Sequence, residues 1–146
     1  MPRPSPDLAE RLRSAGLRVT RPRLALLRLV SDAGHRHITV ENLHEEAIAA
    51  AIPVSLATVY NILHQFTAAG LLRKVLIAPG RLYFDTNIDE HHHFLCELTG
   101  MLQDIPEKDI AVLGIPAPPV GTAISRVEVI VRLCPLDQRQ PKASTV

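Results

Sequence analysis

The chain has no tryptophan, only two tyrosines and three phenylalanines in 146 residues, so its core must be built from aliphatic side chains. Two cysteines, Cys96 and Cys134, are too few for a disulfide framework or a four-thiolate zinc site. No apolar run approaches the roughly 18–20 residues of a membrane span. Met1-Pro2-Arg3-Pro4-Ser5-Pro6 lacks the apolar core of a secretory leader. A cytoplasmic protein without a membrane partner is the expectation. A large excess of either charge is also missing: the net charge is +1.

That near-neutrality hides an asymmetry. Residues 1–81 carry 11 Lys/Arg against 6 Asp/Glu, and residues 82–146 carry 5 against 9. A basic front half suits a polyanion, and an acidic rear half with histidines suits cations. At 47% hydrophobic content the chain can bury a core as one domain or two small ones.

The front half is punctuated into short helices. Asp7–Ala15 has Leu8 and Leu12 on one face and stops at Gly16. Thr20 is positioned to cap a second helix, with Pro22 in its first turn, running through Leu24, Leu27 and Val30 to about Ala33. Thr39 caps a third, from Val40 to about Ala51, burying Leu43, Ala47 and Ile48. Ser55 caps a fourth, Leu56–Ala69, with Val59, Ile62, Leu63 and Phe66 as its apolar stripe. Only Ile52-Pro53-Val54-Ser55 separates the last two, which fits a helix-turn-helix whose second helix can enter a DNA major groove. The polar residues Ser55, Thr58, Asn61, His64 and Gln65 on that helix suit bases and phosphates better than a solubilising coat. Leu71–Ala78 and Arg81–Thr86 around Pro79-Gly80 read as a hairpin, the wing of a winged helix.

Beyond a short polar hinge at 85–90 the densest chemistry of the chain begins. Asp89-Glu90-His91-His92-His93 packs three imidazoles and two carboxylates into five residues. In a strand over 91–98, His91 and His93 share a face and His92 takes the other. Two imidazoles so placed can converge on one ion with carboxylates added, and haem iron also accepts an axial histidine. A solvated polar turn is the bland alternative. Phe94–Leu98 and Met101–Ile105 form a second hairpin around Thr99-Gly100, Pro106-Glu107 starts a helix to Leu113, and 114–121 is a proline-rich loop. Ser125–Leu133 alternates Val127, Val129, Val131 and Leu133 with polar residues as a half-buried strand. A unit of this size is too small to cover that face alone, so a two-fold homodimer is expected. The fold class is therefore α+β: a winged helix over 1–86, a small α/β dimerisation and sensing unit over 91–136, and a tail over 137–146.

These residues resemble the ferric uptake regulator superfamily. The resemblance is carried by Leu12–Arg23, His37–Leu43, Ser55–Tyr60 and Gly80–Asp85 followed by the histidines, and it spans about 7–136. Tyr60–Phe66, His91–Phe94 and Arg126–Leu133 are most similar to the iron response regulator branch. The resemblance implies a dimeric transcription regulator, bound to an inverted-repeat DNA operator and controlled by a divalent ion (manganese, iron or zinc) or by haem. It assigns Arg18, Arg23, Ser55, Thr58, Tyr60 and Asn61 to DNA, and His37, Asp85, His91, His93 and Asp104 to an interdomain metal site. His91, His92, His93 and Cys134, which precedes Pro135, are the haem candidates. Two departures stand out. Thr99 occupies the place of the second cysteine in the family's Cys-x-x-Cys, and Asn61 replaces the usual arginine after the recognition-helix tyrosine, so a different DNA sequence should be read. A haem-free metal-sensing repressor is the nearest alternative. A metal-dependent hydrolase is the remote one, because no His-Glu-x-x-His spacing occurs. The chain reads as a regulator and not an enzyme.

Overall fold

The computed structural model describes residues 7–78 and 80–138. The chain divides into two compact units, Met1–Ile88 and Asp89–Val146. No helix among the described residues is long and apolar enough to cross a membrane.

Capping hydrogen bonds set the helix starts of the first unit. In α1 (Leu8–Ser14) the Asp7 carboxylate accepts from the Ala9 amide at 3.1 Å. In α2 (Arg21–Ser31) the Thr20 hydroxyl accepts from Arg23 N at 3.3 Å. In α3 (Val40–Ala49) Thr39 accepts from Asn42 N, and in α4 (Leu56–Ala68) Ser55 accepts from Thr58 N, both at 3.1 Å. Each cap satisfies an amide left orphaned by the first turn and stabilises its helix by about 1 kcal/mol. Gly16 and Gly70, both at positive φ, follow α1 and α4. After α3 it is Ala51, at φ +56°, that takes the left-handed position, two residues before Pro53.

The aliphatic core expected from the composition is present. Leu12, Leu26, Leu27, Leu43, Val59, Leu63, Phe66 and Phe84 are buried together. Ile48 departs from the expected α3 stripe and is 62% exposed. A sheet in the order β1-β3-β2 completes this unit, formed by β1 (His37–Ile38), β2 (Arg73–Ala78) and β3 (Arg81–Asp85). The wing strands β2 and β3 are antiparallel; of their turn, Pro79 lies outside the described residues. The strand β1 was not expected, since two residues show no periodicity. It pairs His37 with Asp85 and Ile38 with Phe84.

The second unit is a sheet in the order β5-β4-β6, with β4 (His91–Cys96), β5 (Leu102–Pro106) and β6 (Ile130–Leu133). The β4–β5 pair is an antiparallel hairpin, whereas β6 lies parallel to β4. Two expectations are corrected here. The helix from Pro106 to Leu113 is only a 3-10 turn at Glu107–Asp109; Val112 and Leu113 are exposed and give a helix no buried face. The strand expected over Ser125–Leu133 is confined to Ile130–Leu133, where β4 supplies backbone partners. Its apolar face is incompletely covered, and Leu133 is exposed. From the expected tail, Leu136–Gln138 is a 3-10 turn, and 139–146 lie outside the described residues.

Candidate metal centre and nucleic-acid interface

The strand β4 does to its histidines what alternation requires. His91 and His93 share one face, with their Nε2 atoms 3.0 Å apart. Opposite His93 in register stands Asp104 on β5, and its Oδ1 lies 3.4 Å from each of these Nε2 atoms. Three potential ligand atoms thus form a triangle with edges of 3.0, 3.4 and 3.4 Å. Ligands on an ion with bonds of about 2.0–2.1 Å are separated by about 3.0–3.4 Å, so the triangle has the size of a coordination face.

The other nitrogen of each ring decides the tautomer. His91 Nδ1 donates to the Asp89 carbonyl, an oxygen that can only accept. His93 Nδ1 faces the Glu128 carboxylate at 3.4 Å. The first contact places the His91 proton on Nδ1 and leaves its Nε2 lone pair turned toward His93 and Asp104. Three electron-rich atoms at this spacing repel unless a cation or a proton lies among them. His91 and His93 are buried and Asp104 is about a quarter exposed, so bulk water screens the repulsion poorly.

His92 belongs to a different task. Its ring is buried, and Nδ1 accepts a hydrogen bond of 3.0 Å from the Val129 amide. Together with the His93 amide donating to the Val129 carbonyl at 3.1 Å, it fixes how the chain enters β6. Glu128, which this register brings to His93, was invisible in the sequence because it depends on a parallel pairing across more than thirty residues.

In the first unit, His37 and Asp85 form a second candidate pair. The β1–β3 register sets them opposite each other, and His37 Nε2 is 3.1 Å from Asp85 Oδ2. The Asp85 carboxylate is fully buried and its Oδ1 also accepts from the Asn87 amide at 2.9 Å. The end of this sheet is clamped by reciprocal bonds: Arg36 N to Thr86 Oγ1 at 2.8 Å, and Thr86 N to the Arg36 carbonyl at 3.1 Å. The Arg36 side chain in turn pairs with Glu46 on α3.

The DNA candidates fall into two groups. Tyr60 and Asn61 are exposed on α4, as a reading helix requires. The Ser55 hydroxyl instead caps α4 and donates to Thr58 Oγ1 at 2.9 Å, so these two groups organise the helix start. Arg23 spans α2 and α4: its guanidinium donates to Gln65 Oε1 at 3.0 Å and to the Arg18 carbonyl at 2.8 Å. The Arg18 side chain is exposed. His64 does not face outward as its helical position suggested. Its ring packs 4.3 Å from Tyr60 and edge-on to Phe84, and desolvation, helped by Lys74, lowers its pKa below the ordinary histidine value. Cys134, the haem candidate, is exposed.

Comparison with known proteins points one way. The profile described as "Ferric uptake regulator family" matches residues 14–115. Transcriptional regulator FurA of Mycobacterium tuberculosis is 42% identical over 102 residues, covering 68% of this chain and 67% of FurA. Ferric uptake regulation protein 1 of Mycolicibacterium fortuitum is 38% identical over 130 residues, 85% of this chain and 77% of that protein. Among solved structures, the ferric uptake regulator from Pseudomonas aeruginosa with manganese superposes with a TM-score of 0.68. Its identity is 26%, over 88% of this chain and 98% of that one.

Proposed function

The chain belongs to the ferric uptake regulator family, and from that premise we propose that it is a DNA-binding transcription regulator switched by a divalent ion at His37, Asp85, His91, His93 and Asp104. It is a regulator and not an enzyme, as its relatives are. One observation carries the metal reading: the Nε2 atoms of His91 and His93 converge with an Asp104 oxygen at 3.0–3.4 Å, while the Asp89 carbonyl holds the His91 proton on Nδ1. The family resemblance adds His37 and Asp85, already paired within their own unit, to the same ion. The ion supplies positive charge that the two carboxylates and three neutral imidazoles accept, and it couples a DNA-binding unit to a second unit through shared ligands. Manganese, iron(II) and zinc all suit this donor set. The relative solved with manganese makes that ion the first to test.

In this reading α4 enters the major groove, with Tyr60 and Asn61 at base edges and Arg23 and Arg18 at the backbone. A homodimer presents two such helices to an inverted repeat. Support for the dimer comes from the second unit, where Leu113 and Val120 are almost wholly exposed and Ile115 and Ile124 about half exposed, apolar side chains that a partner would cover. Calorimetric titration of Mn²⁺, followed by DNA binding with and without the ion, tests the whole reading.

Control by haem, as in the iron response regulator branch, is the second reading. It draws on Cys134, which is exposed and precedes Pro135, and on His91, His92 and His93. Those three rings are buried, and His92 holds Val129, so a haem that uses them must open β4. Stoichiometric Soret absorbance surviving size exclusion supports this reading, and its loss in Cys134→Ser would assign the accessible ligand.

A further inference from the structure

The chain's two cysteines lie far apart in sequence and meet at one end of the second sheet. In the parallel β4–β6 pairing Cys96 is opposite Leu133, and Cys134 is the next residue. The peptide joining Cys96 to Glu97 is bonded directly to the peptide joining Leu133 to Cys134: Glu97 N donates to the Leu133 carbonyl at 3.0 Å. Strands about 4.8 Å apart with a rise of about 3.3 Å per residue put the two Cα atoms about 6 Å apart, within the span of roughly 4.4–6.8 Å that a disulfide bridges. The strand ends at Leu133, so the side chain of Cys134 is not held to the alternation of β6. Both thiols are free, Cys134 exposed and Cys96 partly so.

We propose that Cys96 and Cys134 are a peroxide-oxidisable thiol pair that closes to an intramolecular disulfide between β4 and the chain leaving β6. The chemistry balances with hydrogen peroxide as oxidant. The Cys96 thiolate attacks one peroxide oxygen, the O–O bond breaks, and hydroxide leaves and takes up the thiol proton, giving water and a sulfenic acid. The Cys134 thiol then attacks the sulfenic sulfur, forming the S–S bond and releasing a second water. Cys96 suits the first role because hydrogen bonds from the Thr99 hydroxyl and backbone hold its pKa below the ordinary thiol value. The link would fasten the same strand pair that sets Val129 against His92 and Glu128 against His93. Oxidation therefore reports on the register supporting those histidines, whichever ion they hold.

The test uses the full chain, reduced, then exposed to hydrogen peroxide with a chelator present to suppress metal-catalysed oxidation. The expected product is a single covalent chain lighter by two hydrogens under denaturing conditions, with a proteolytic fragment joining Cys96 to Cys134 and both thiols restored by dithiothreitol. Cys134→Ser should instead trap oxygen on Cys96, and its far-ultraviolet circular dichroism checks that the fold is retained. Two thiols still titrating after peroxide, or a disulfide found only between chains, overturns the proposal.

Discussion

The Nε2 atoms of His91 and His93 stand 3.0 Å apart on one face of β4, while their Nδ1 atoms face the Asp89 carbonyl and the Glu128 carboxylate. Two imidazole nitrogens this close beside the Asp104 carboxylate are an arrangement suited to a shared cation. Glu128 faces His93 Nδ1 from behind at 3.4 Å and is not itself assigned to the ion. Changing Glu128→Gln should therefore weaken Mn²⁺ binding by about 10–100-fold, the usual cost of losing a supporting partner. Calorimetric titration checks this; unchanged affinity would remove Glu128 from the account.

Thr86 frames the candidate pair His37 and Asp85. Its hydroxyl and amide close the end of the sheet in which β1 presents His37 to Asp85. Thr86→Val keeps the shape and deletes the hydroxyl, leaving the Arg36 amide without that acceptor. Stability should fall by about 1–2 kcal/mol, measured by urea denaturation. Wild-type stability would show that solvent replaces the bond without loss.

Arg23 ties α2 to α4 through Gln65, and Tyr60 is exposed on α4. Arg23→Ala and Tyr60→Ala should each weaken specific DNA binding by about 1–3 kcal/mol, read by fluorescence anisotropy on a fragment selected by the wild-type protein. Wild-type affinity in both variants would displace α4 from the interface.

His64 gives a pH dependence with a definite sign. Its pKa is lowered in the folded chain by desolvation and Lys74, so the unfolded chain binds more protons in the window between that value and about 6.5. Its neutral form is accommodated fully above the unfolded pKa, and stability is lost as pH falls through the window. His64→Leu should flatten that acid-side slope in chemical denaturation from pH 7 to 5. An unchanged slope would assign the acid sensitivity to other groups.

Much of the first unit was legible because its signals are local. Thr20, Thr39 and Ser55 each announce a helix within three residues, and each makes the capping bond observed. Strand alternation likewise separated His91 and His93 from His92. What stayed hidden depends on long-range pairing: β1, only two residues long, the parallel entry of β6 beside β4, and with it the positions of Val129 and Glu128. The helix over Pro106–Leu113 failed for the converse reason. The start signal Pro106-Glu107 proposed it, but Val112 and Leu113 are exposed and give it no buried face.

In the proposed function, His37 and the His91–His93 face serve one ion. Calorimetric titration of Mn²⁺ into the wild type, His37→Ala and the His91→Ala, His93→Ala double variant tests it directly. One ion per chain is expected in the wild type, with a loss of at least about 100-fold in affinity in both variants, since a ligand should matter no less than its supporting partner. Wild-type affinity retained in either variant would contradict it.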